Sequence, residues 1–583
     1  MNINFAAAAL SERGRKLLPQ VWGAALDLGG RAYDVTHAAS EMTDRRAVLN
    51  AQAVDGTWAA STWLRDEYGV LSLSQPPVSY TEETSTGGWE RWARTSLRDD
   101  HGRRTVQPGY FGISLWEDGG LEIWNDAFGF GRAYVVENED FVAVGNHIGM
   151  VSLFSSRPLE LDVYGADLLA QVGFWPEDHT PITDVRRLGP AEVISVGRHD
   201  EVTRRRYATD EEFYAYRECE PDFDAVAASM AVLTSNIGSI ARQPPTVHLS
   251  GGQDSRVTAA AWLAGGKPAA LQTVGTLQGE VDVAQALLEA IDRDGALESR
   301  GVTHRVTYPN PGRISGFSIE DRLAAGLLMW DGDFAPGNLK AAIKPPPPRA
   351  RLTIGGANGE VMHGIYYPTP KMLGIVRSLD HPIDRVANAF AGRANTTESR
   401  ASMLKFIENQ TRFTRSLGHE DASALNVFQM HSKFRRWINA QLSSSSFVLL
   451  LNPVFVRAGI DLTPEQRLDR VMQKAMSRAL IPEWESVPYY KATPEDSRRS
   501  ARVQSARTWQ TSPGSMERLL HERTAWQRWF TPDAMADIER TVHSGEGNAM
   551  HESTLNKAYV LDALPDHVAG LERVRTHLWS AAA

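Results

Sequence analysis

A short apolar run followed by a glycine-rich turn is the feature that most constrains the fold of this chain. Residues 245–249 (Pro-Thr-Val-His-Leu) lead into residues 250–255 (Ser-Gly-Gly-Gln-Asp-Ser), and residues 256–263 then show a helical pattern. A strand, a tight turn and a helix in this order direct backbone N–H groups and a helix N-terminus at one point, which is where phosphate binds. The two glycines allow a ligand to approach the backbone closely.

The carboxylate of Asp254 in this turn suits Mg²⁺ beside the phosphates. The turn is not a Walker-type loop, because no Gly-Lys-Ser/Thr follows at the required spacing. An ordinary glycine-rich connection between a strand and a helix is the alternative interpretation. The pattern favours a protein that handles a nucleotide.

Composition narrows the class of protein. A chain of 583 residues exceeds one ordinary core, so two or more domains are expected. The net charge of −10 argues against a general nucleic-acid binder, and the short cluster at residues 204–206 is interpreted as solvated surface. The single cysteine, Cys219, excludes a disulfide framework and a cysteine-based zinc site.

Targeting and membrane segments are not predicted. The alanine-rich residues 6–10 are too few for the apolar region of a signal peptide. No apolar stretch approaches the length of a transmembrane helix. We therefore expect a cytoplasmic protein with neither a membrane nor a nucleic acid as its partner.

The pattern of apolar residues divides the chain near residue 206. The first part is β-rich, with strands predicted at 111–116, 121–124, 133–136 and 141–144 and a helix near 165–172. Helices are then predicted at 209–219 and 223–235. Beyond these, apolar strands, including 270–274 and 304–307, alternate with helices, which predicts a parallel α/β sheet. Residues 380–583 are mainly helical.

This order of parts resembles the asparagine synthetase B superfamily. Residues 250–255 are similar to the pyrophosphatase loop of N-type ATP pyrophosphatases, enzymes that split ATP between its α and β phosphates. Residues 354–364 (Ile-Gly-Gly-Ala-Asn-Gly-Glu-Val-Met-His-Gly) resemble a second glycine loop, in which the family has an Asp-Glu pair near the metal and pyrophosphate. Here Gly359 stands in place of the Asp, whereas Glu360 keeps the Glu.

The resemblance implies an α/β fold class with an α+β N-terminal domain. Residues 1–206 would form an Ntn-type, glutaminase-like β-sandwich similar to class II glutamine amidotransferases, on the match of residues 125–129 and 187–190. Residues 207–583 would form an adenine-nucleotide alpha hydrolase-like, parallel α/β synthetase domain with a helical C-terminal part. Glutamine hydrolysis in this family needs an N-terminal cysteine. The chain begins Met1-Asn2, so we expect a retained shell without glutaminase activity.

The resemblance also implies ATP and Mg²⁺ as cofactors and a set of site residues. Asp254 and Glu360 would be the metal ligands. Glu360 and Lys491 would be catalytic, since Lys491 follows a segment that resembles the one before the family's catalytic lysine; a surface lysine is the equal alternative. The implied nucleotide contacts are Ser250, Gly251, Gly252, Asp254, Ser255, Thr273, Val274, Gly275, Gly355 and Gly356.

Three further features remain open in the sequence. Arg435 and Arg436 would either clamp a substrate anion or form a surface pair on a helix. His363 lies inside the second glycine loop and receives no role. Residues 446–453 resemble the apolar stretch that bounds the acyl-substrate pocket in the family.

Within the superfamily, the chain most resembles lasso peptide cyclases. The grounds are the relaxed second loop, Arg256 in place of a serine, and a long C-terminal part rich in Arg and Trp. The resemblance implies ATP-dependent, AMP- and pyrophosphate-forming activation of a carboxylate. An amide then forms within the same molecule, closing a macrolactam between the N-terminal amine of a precursor (core) peptide and an Asp or Glu side chain. A leader peptidase and a leader-binding protein would be partners.

Two alternatives stay open at this point. A small-molecule amide or β-lactam synthetase of natural-product biosynthesis would share the same loops. A non-catalytic scaffold homologue would keep the fold without turnover, and the missing Asp at Gly359 favours it slightly.

Overall fold

The protein is a mixed α/β structure with two antiparallel sheets, one parallel sheet and many helices. This computed structural model describes residues 2–33, 35–53, 57–84, 88–308, 317–340, 351–390, 394–437, 446–491, 493–494, 496 and 507–580. The arginine-rich residues 498–502 lie outside the described residues.

The first antiparallel sheet has the order β10-β8-β9-β1-β3-β2, the second β12-β11-β7-β6-β5-β4, and the parallel sheet β15-β14-β13-β16-β17. The strands are β1 (Asn2–Ala9), β2 (Val35–Met42), β3 (Arg46–Ala53), β4 (Trp63–Asp66), β5 (Gly69–Leu73), β6 (Phe111–Trp116), β7 (Leu121–Asn125), β8 (Tyr134–Glu137), β9 (Phe141–Gly145), β10 (Arg186–Arg187), β11 (Glu192–Val196), β12 (Val202–Arg206), β13 (Thr246–His248), β14 (Ala269–Val274), β15 (Val302–Thr307), β16 (Thr353–Ile354) and β17 (Ser446–Phe447).

Helices connect and cover these sheets. They are α1 (Glu12–Ala32), α2 (Trp89–Ser96), α3 (Asp100–Arg104), α4 (Ile148–Ser152), α5 (Val163–Val172), α6 (Asp210–Tyr214), α7 (Phe223–Ile240), α8 (Gln253–Ala264), α9 (Gln278–Glu289), α10 (Ala296–Ser299), α11 (Ile319–Trp330), α12 (Pro370–Arg377), α13 (Asp384–Phe390), α14 (Thr397–Ser416), α15 (Ala424–Phe428), α16 (Arg435–Trp437), α17 (Pro453–Asp461), α18 (Pro464–Leu468), α19 (Val471–Leu480), α20 (Thr508–Thr511), α21 (Ser515–Glu522), α22 (Pro532–His543) and α23 (Ala549–Ser580). A π-helical segment, Gln429–Phe434, joins α15 to α16.

The two antiparallel sheets pack face to face around a buried apolar cluster. Ala6 and Val142 of the first sheet share this cluster with Ile123 and Ile194 of the second. Side chains alternate along a strand, so Trp124, next to Ile123, belongs to a cluster on the opposite face of its sheet. The predicted strands of the β-rich part are confirmed to within one residue at each end.

The outer face of the second antiparallel sheet packs on the parallel sheet. Trp124 and Leu73 belong to the same buried cluster as Val247 of β13, Ile354 of β16 and Leu450. The parallel sheet that the sequence predicts is confirmed, with every recorded strand pair in it parallel. The outer face of the second sheet and the parallel sheet therefore share one apolar core, which is separate from the cluster between the two antiparallel sheets.

The C-terminal helix α23 ties the helical region to the first antiparallel sheet. Its last turns bury Leu578 and Trp579 against α1 and Phe141. The indole N–H of Trp579 donates to the carbonyl of Leu153 at 3.0 Å. Glu572 accepts from the backbone N–H of Leu159 at 2.7 Å and from Arg575 at 2.8 Å. One long helix thus holds the two ends of the described chain together.

We expect acid to weaken this attachment. Hydrogen bonds from Arg575 lower the pKa of Glu572 to about 2, from an ordinary value of 4.5. A depressed carboxyl pKa stabilises the fold above the unfolded pKa, so the contribution is complete above about pH 4.5 and disappears as the pH falls towards 2. Its size is at most about 3 kcal/mol. Urea unfolding at several pH values should show that Glu572→Gln loses stability at pH 7 and matches the wild type near pH 2. Equal losses at both pH values would contradict the assignment.

The arginine cluster at residues 204–206 is exposed, as predicted. Its members form ion pairs on the surface, Arg204 with Glu137, Arg205 with Asp100 and Arg206 with Asp210. Helix α7 alone among the described residues is long and apolar enough to cross a membrane, and such a single helix is weak evidence for a span. Its Met230 and Leu233 are buried in the shared core, as in the core helix of a globular protein.

Candidate active site

The candidate site lies where the parallel sheet reverses its strand order. Strand β13 is paired with β14 on one side and with β16 on the other, in register Val247↔Leu271 and Val247↔Ile354. Loops that leave neighbouring parallel strands at such a point enclose a crevice, the usual ligand site of open α/β sheets. The first glycine loop (residues 250–255) follows β13, and the second glycine loop (residues 355–364) follows β16. The fold therefore brings together the two motifs that the sequence singles out.

The first glycine loop runs directly into helix α8. The helix begins at Gln253, three residues before the predicted start, with Gly252 as its N-cap. Asp254 and Ser255 therefore lie in the first turn, where backbone N–H groups have no partner within the helix. The hydroxyls of Ser250 and Ser255 lie 2.8 Å apart, and Ser250 accepts from the N–H of Gly252 at 3.1 Å. This arrangement is typical of a phosphate-binding helix N-terminus.

The second glycine loop packs against the first through two glycines. A Cβ at Gly356 would lie 2.6 Å from the backbone nitrogen of Ser255. A Cβ at Gly359 would lie 2.1 Å from Cγ of Asp254. Non-bonded atoms do not approach each other this closely. The two loops can therefore pack together only because these two positions lack side chains. Gly355 has no such constraint, since its nearest neighbour would be Nδ1 of His248 at 3.5 Å.

Asp254 and Glu360 meet in this crevice. Burial raises the pKa of Glu360, and the nearby Asp254 raises it further, whereas His363 and Lys433 act in the opposite direction. Oε2 of Glu360 is buried and makes no hydrogen bond to any described residue. A buried carboxylate oxygen without a partner is costly unless a cation compensates it. These two carboxylates fit Mg²⁺, which is usually bound through one or two carboxylates together with substrate phosphates.

His363 contacts the predicted metal ligand Asp254 directly. Its Nε2 lies 2.6 Å from Oδ1 of Asp254. Gln473 of α19 lies 3.3 Å from the other ring nitrogen. Across the described residues, no group of three or more His, Cys, Asp or Glu side chains is arranged to hold a metal ion. Asp254 and His363 are therefore a hydrogen-bonded pair.

A third segment, the tyrosine loop (residues 487–491), closes one side of the first glycine loop. The N–H of Tyr490 donates to the carbonyl of Gly251 at 3.0 Å, and a Cβ at Gly251 would lie 2.6 Å from Cβ of Tyr490. Arg256 donates to the carbonyls of Val487 and Pro488 at 2.7 and 2.9 Å. Lys491, the predicted catalytic lysine, thus follows directly on the residue that contacts Gly251, with its side chain exposed.

Arg256 therefore has a structural role that the sequence does not predict. Its guanidinium lies 4.0 Å from the ring centre of Tyr489 and is 1% exposed. It is the residue that fixes the tyrosine loop beside helix α8. Tyr489 contacts Arg256, and Tyr490 contacts Gly251.

The predicted nucleotide contacts at residues 273–275 are only partly accessible. Thr273 is fully buried, and its hydroxyl donates to the carbonyl of Leu249 at 2.8 Å. Val274 is 42% exposed, and a Cβ at Gly275 would lie 2.5 Å from the ring of Tyr308. Val274 and Gly275 can therefore line a ligand, whereas the side chain of Thr273 holds two strands together.

No family model matches the chain, and no curated protein matches it. Membership of the asparagine synthetase B superfamily therefore stays a prediction. Function has to follow from the geometry of the three loops and of the residues that face them.

Lys433 faces the crevice from the π-helical segment and was not singled out in the sequence. Its ammonium lies 5.9 Å from the ring centre of Tyr366. Burial lowers the pKa of Lys433, and the carboxylate of Glu360 opposes this effect. Single π-helical turns occur frequently at functional sites. The candidate site thus has a partly buried lysine near Glu360.

Both interpretations of Arg435 and Arg436 are wrong. The two residues are 3% and 6% exposed, so they form neither a surface pair nor an accessible clamp. Arg435 donates to Asp178 at 2.6 Å, and Arg436 donates to Asp333 at 3.1 Å. Arg187 of β10 donates to the carbonyl of Arg435 at 2.6 Å. These arginines fix the end of the π-helical segment to the β-sandwich.

The apolar residues 446–453 lie at the far edge of the parallel sheet. Leu449, Leu450 and Leu451 are fully buried in the shared core. Asn452 caps α17 by accepting from the N–H of Val454 at 2.9 Å. This stretch is therefore part of the buried core at the edge of the parallel sheet.

Proposed function

We propose that the protein uses ATP to activate a carboxylate and then joins the activated acyl group to an amine. The observation that carries this proposal is the position of Asp254 in the first turn of α8, near Glu360, whose Oε2 is buried without a hydrogen bond to any described residue. A helix N-terminus can bind phosphates, and two carboxylates can bind a cation, so the site suits a nucleoside triphosphate. The alternative of a scaffold is disfavoured because an unpaired buried carboxylate destabilises a protein that never binds a cation.

In the first step a carboxylate oxygen of the substrate forms a bond to the α-phosphorus of ATP. The bond between that phosphorus and the bridging oxygen breaks, and pyrophosphate leaves. Mg²⁺ held by Asp254 and Glu360 would neutralise phosphate charge. The N–H groups at the start of α8, with Ser250 and Ser255, hold and orient the phosphates for in-line attack.

In the second step the amine nitrogen forms a bond to the acyl carbon. The bond from that carbon to the AMP oxygen then breaks, and AMP and a proton leave. A cation near the oxyanion and the departing phosphate lowers this barrier. We assign this role to Lys491, because the preceding residue, Tyr490, contacts Gly251 of the first glycine loop.

The source of the amine follows from the chemistry of the β-sandwich. Residues 1–206 contain no cysteine, and the only cysteine of the sequence, Cys219, is exposed outside the antiparallel sheets. A sandwich without a thiol supports an amine from the substrate itself. We therefore propose macrolactam closure of a lasso peptide precursor as the specific reaction. On this proposal residues 1–206 are a glutaminase-like shell, residues 207–583 are the synthetase domain, and leader-processing proteins are partners in the cytoplasm.

Substrate-dependent exchange of radiolabelled pyrophosphate into ATP tests the first step. Mass spectrometry of a leader-processed precursor, incubated with ATP and Mg²⁺, tests the second. Loss of one water from the peptide mass, with release of AMP, is the expected result. Exchange without any mass change across cognate precursors would favour a small-molecule amide synthetase, and no exchange with any carboxylate would overturn the proposal.

We expect Lys491→Met to separate the two steps. Pyrophosphate exchange should stay within a few-fold of the wild type, because phosphate contacts come from the first glycine loop. Amide formation should fall by roughly 10²–10³, the usual effect of removing one group that stabilises developing charge. Lys474→Met, which removes an exposed lysine of α19, serves as the control. An equal loss of both activities in Lys491→Met would assign the residue to the first step.

A further inference from the structure

The contact between His363 and Asp254 is not used in the proposed reaction. Nε2 of His363 lies 2.6 Å from Oδ1 of Asp254, across a gap of 109 positions in the sequence. Both side chains are partly accessible from the crevice, with 26% and 29% of their surfaces exposed. Among the described residues, Asp254 makes this hydrogen bond through Oδ1 and none through Oδ2. One carboxylate oxygen is therefore fixed and the other is left for a ligand.

His363 is itself held from two other elements, through its backbone and through its ring. The backbone carbonyl of His363 accepts from Nδ2 of Asn426 in α15 at 2.9 Å, and Asn426 in turn accepts from the hydroxyl of Tyr367 at 2.8 Å. Gln473 of α19 is fully buried and lies 3.3 Å from Nδ1. The backbone of His363 is thus held by α15, and its ring is oriented by α19. An oriented donor of this kind fixes the carboxylate to which it bonds.

We propose that His363 is a positioning residue for the metal ligand Asp254, an inference that rests on the proposed function. The carboxylate lies against Gly359 on one side, where a Cβ would be 2.1 Å from Cγ, and against the imidazole on another. Together these contacts restrict rotation of the carboxylate and direct Oδ2 into the crevice. His363 thereby supports a site that has lost one carboxylate at position 359.

A direct role for His363 as a metal ligand does not fit the same geometry. An Nε2–Oδ1 distance of 2.6 Å is that of a hydrogen bond, with a proton between the two atoms. Both atoms cannot bind one cation while they share that proton. Moreover, the described residues hold no set of three metal-ligating side chains. The histidine therefore acts through Asp254.

The test is the Mg²⁺ dependence of ATP binding by the full-length protein, measured by calorimetry at a series of free Mg²⁺ concentrations without an acyl substrate. Loss of a residue that orients a metal ligand typically lowers metal affinity 10- to 100-fold. We expect His363→Ala to need 10- to 100-fold more Mg²⁺ while ATP affinity at saturating Mg²⁺ changes only a few-fold. His363→Gln, which keeps a side-chain donor, should recover most of the loss.

The control is His521→Ala. It removes a surface imidazole whose Nε2 lies 2.9 Å from Glu539, far along the chain from the glycine loops, and should leave the Mg²⁺ dependence unchanged. If His363→Ala does not fold, His363→Leu supplies a side chain of similar size without a donor. If the Mg²⁺ dependence is unchanged in His363→Ala or His363→Leu, or if His363→Gln loses as much Mg²⁺ affinity as they do, this inference is overturned while the proposed function stands. Failure of the wild type to bind Mg·ATP would overturn the proposed function and this inference with it.

Discussion

Replacing Asp254 with asparagine is expected to abolish nearly all pyrophosphate exchange. Asparagine has almost the same shape and can still accept from His363, so the change removes the charge and little else. A unit charge about 4 Å from a cation contributes about 4 kcal/mol at an effective dielectric constant of about 20. A loss of this size corresponds to about a thousandfold in rate. The measurement is substrate-dependent exchange at saturating ATP and Mg²⁺.

The matched control is Asp282→Asn. Asp282 is an exposed carboxylate in the next helix, α9, and accepts from Gln278 at 2.8 Å on the surface. Its replacement should leave exchange within about twofold, because a surface charge contributes little. Exchange that survives Asp254→Asn within tenfold would place the cation elsewhere and would remove the main support for the proposed function.

Two strands of the parallel sheet show how much could be predicted from local sequence. Strands at 270–274 and 304–307 are predicted, and Ala269–Val274 and Val302–Thr307 are observed. Each combines apolar and β-branched residues with a helical pattern on either side, so local preference and the final fold agree. The convergence of the two glycine loops follows once both strands lie side by side in the sheet.

The first two elements of the chain could not be predicted in this way. Strand β1 ends in four alanines, which are weak strand formers, and its partners are β3 and β9. Helix α1 contains Pro19 and several glycines, which disfavour a helix locally. It forms because Leu17, Leu18 and Trp22 are buried against the sheet. Packing outweighs local preference in both cases.

A tertiary hydrogen bond also shortens one predicted helix. The pattern predicts a helix over residues 209–219, whereas α6 ends at Tyr214. The N–H of Tyr216 donates to the carbonyl of Leu417 at 2.7 Å, a partner that no local pattern indicates. Contacts between distant segments also explain why the sequence does not reveal the roles of two site residues. His363 and Lys433 become significant only because distant segments bring them to Asp254 and Glu360.

Placing a carboxylate at position 359 by Gly359→Asp is expected to inactivate the protein. The resemblance to the asparagine synthetase B superfamily would suggest the opposite, because that superfamily has an Asp at the corresponding position. However, a Cβ at residue 359 would lie 2.1 Å from Cγ and 2.4 Å from Oδ1 of Asp254. Asp254 would have to leave its place beside His363, and a second negative charge would lie against it. We expect exchange to fall at least about 100-fold, since about 3 kcal/mol of displaced or repulsive interaction is typical of overpacking.

Gly359→Ala separates the steric effect from the charge. Its single methyl group should cause most of the loss of exchange and lower the free energy of unfolding by about 1–3 kcal/mol. Gly374→Asp and Gly374→Ala are the matched controls, because no atom would lie within 4 Å of a Cβ at that position of α12. Exchange in Gly359→Asp equal to or above the wild-type level would show that the crevice can still accept a second carboxylate. In that case Asp254 and His363 would not be fixed as described, and the crevice would have room for a carboxylate at position 359. If instead both Gly359 variants fail while the Gly374 variants are unaffected, the glycine is a requirement of this site, because the carboxylate of Asp254 occupies the space that a side chain would need.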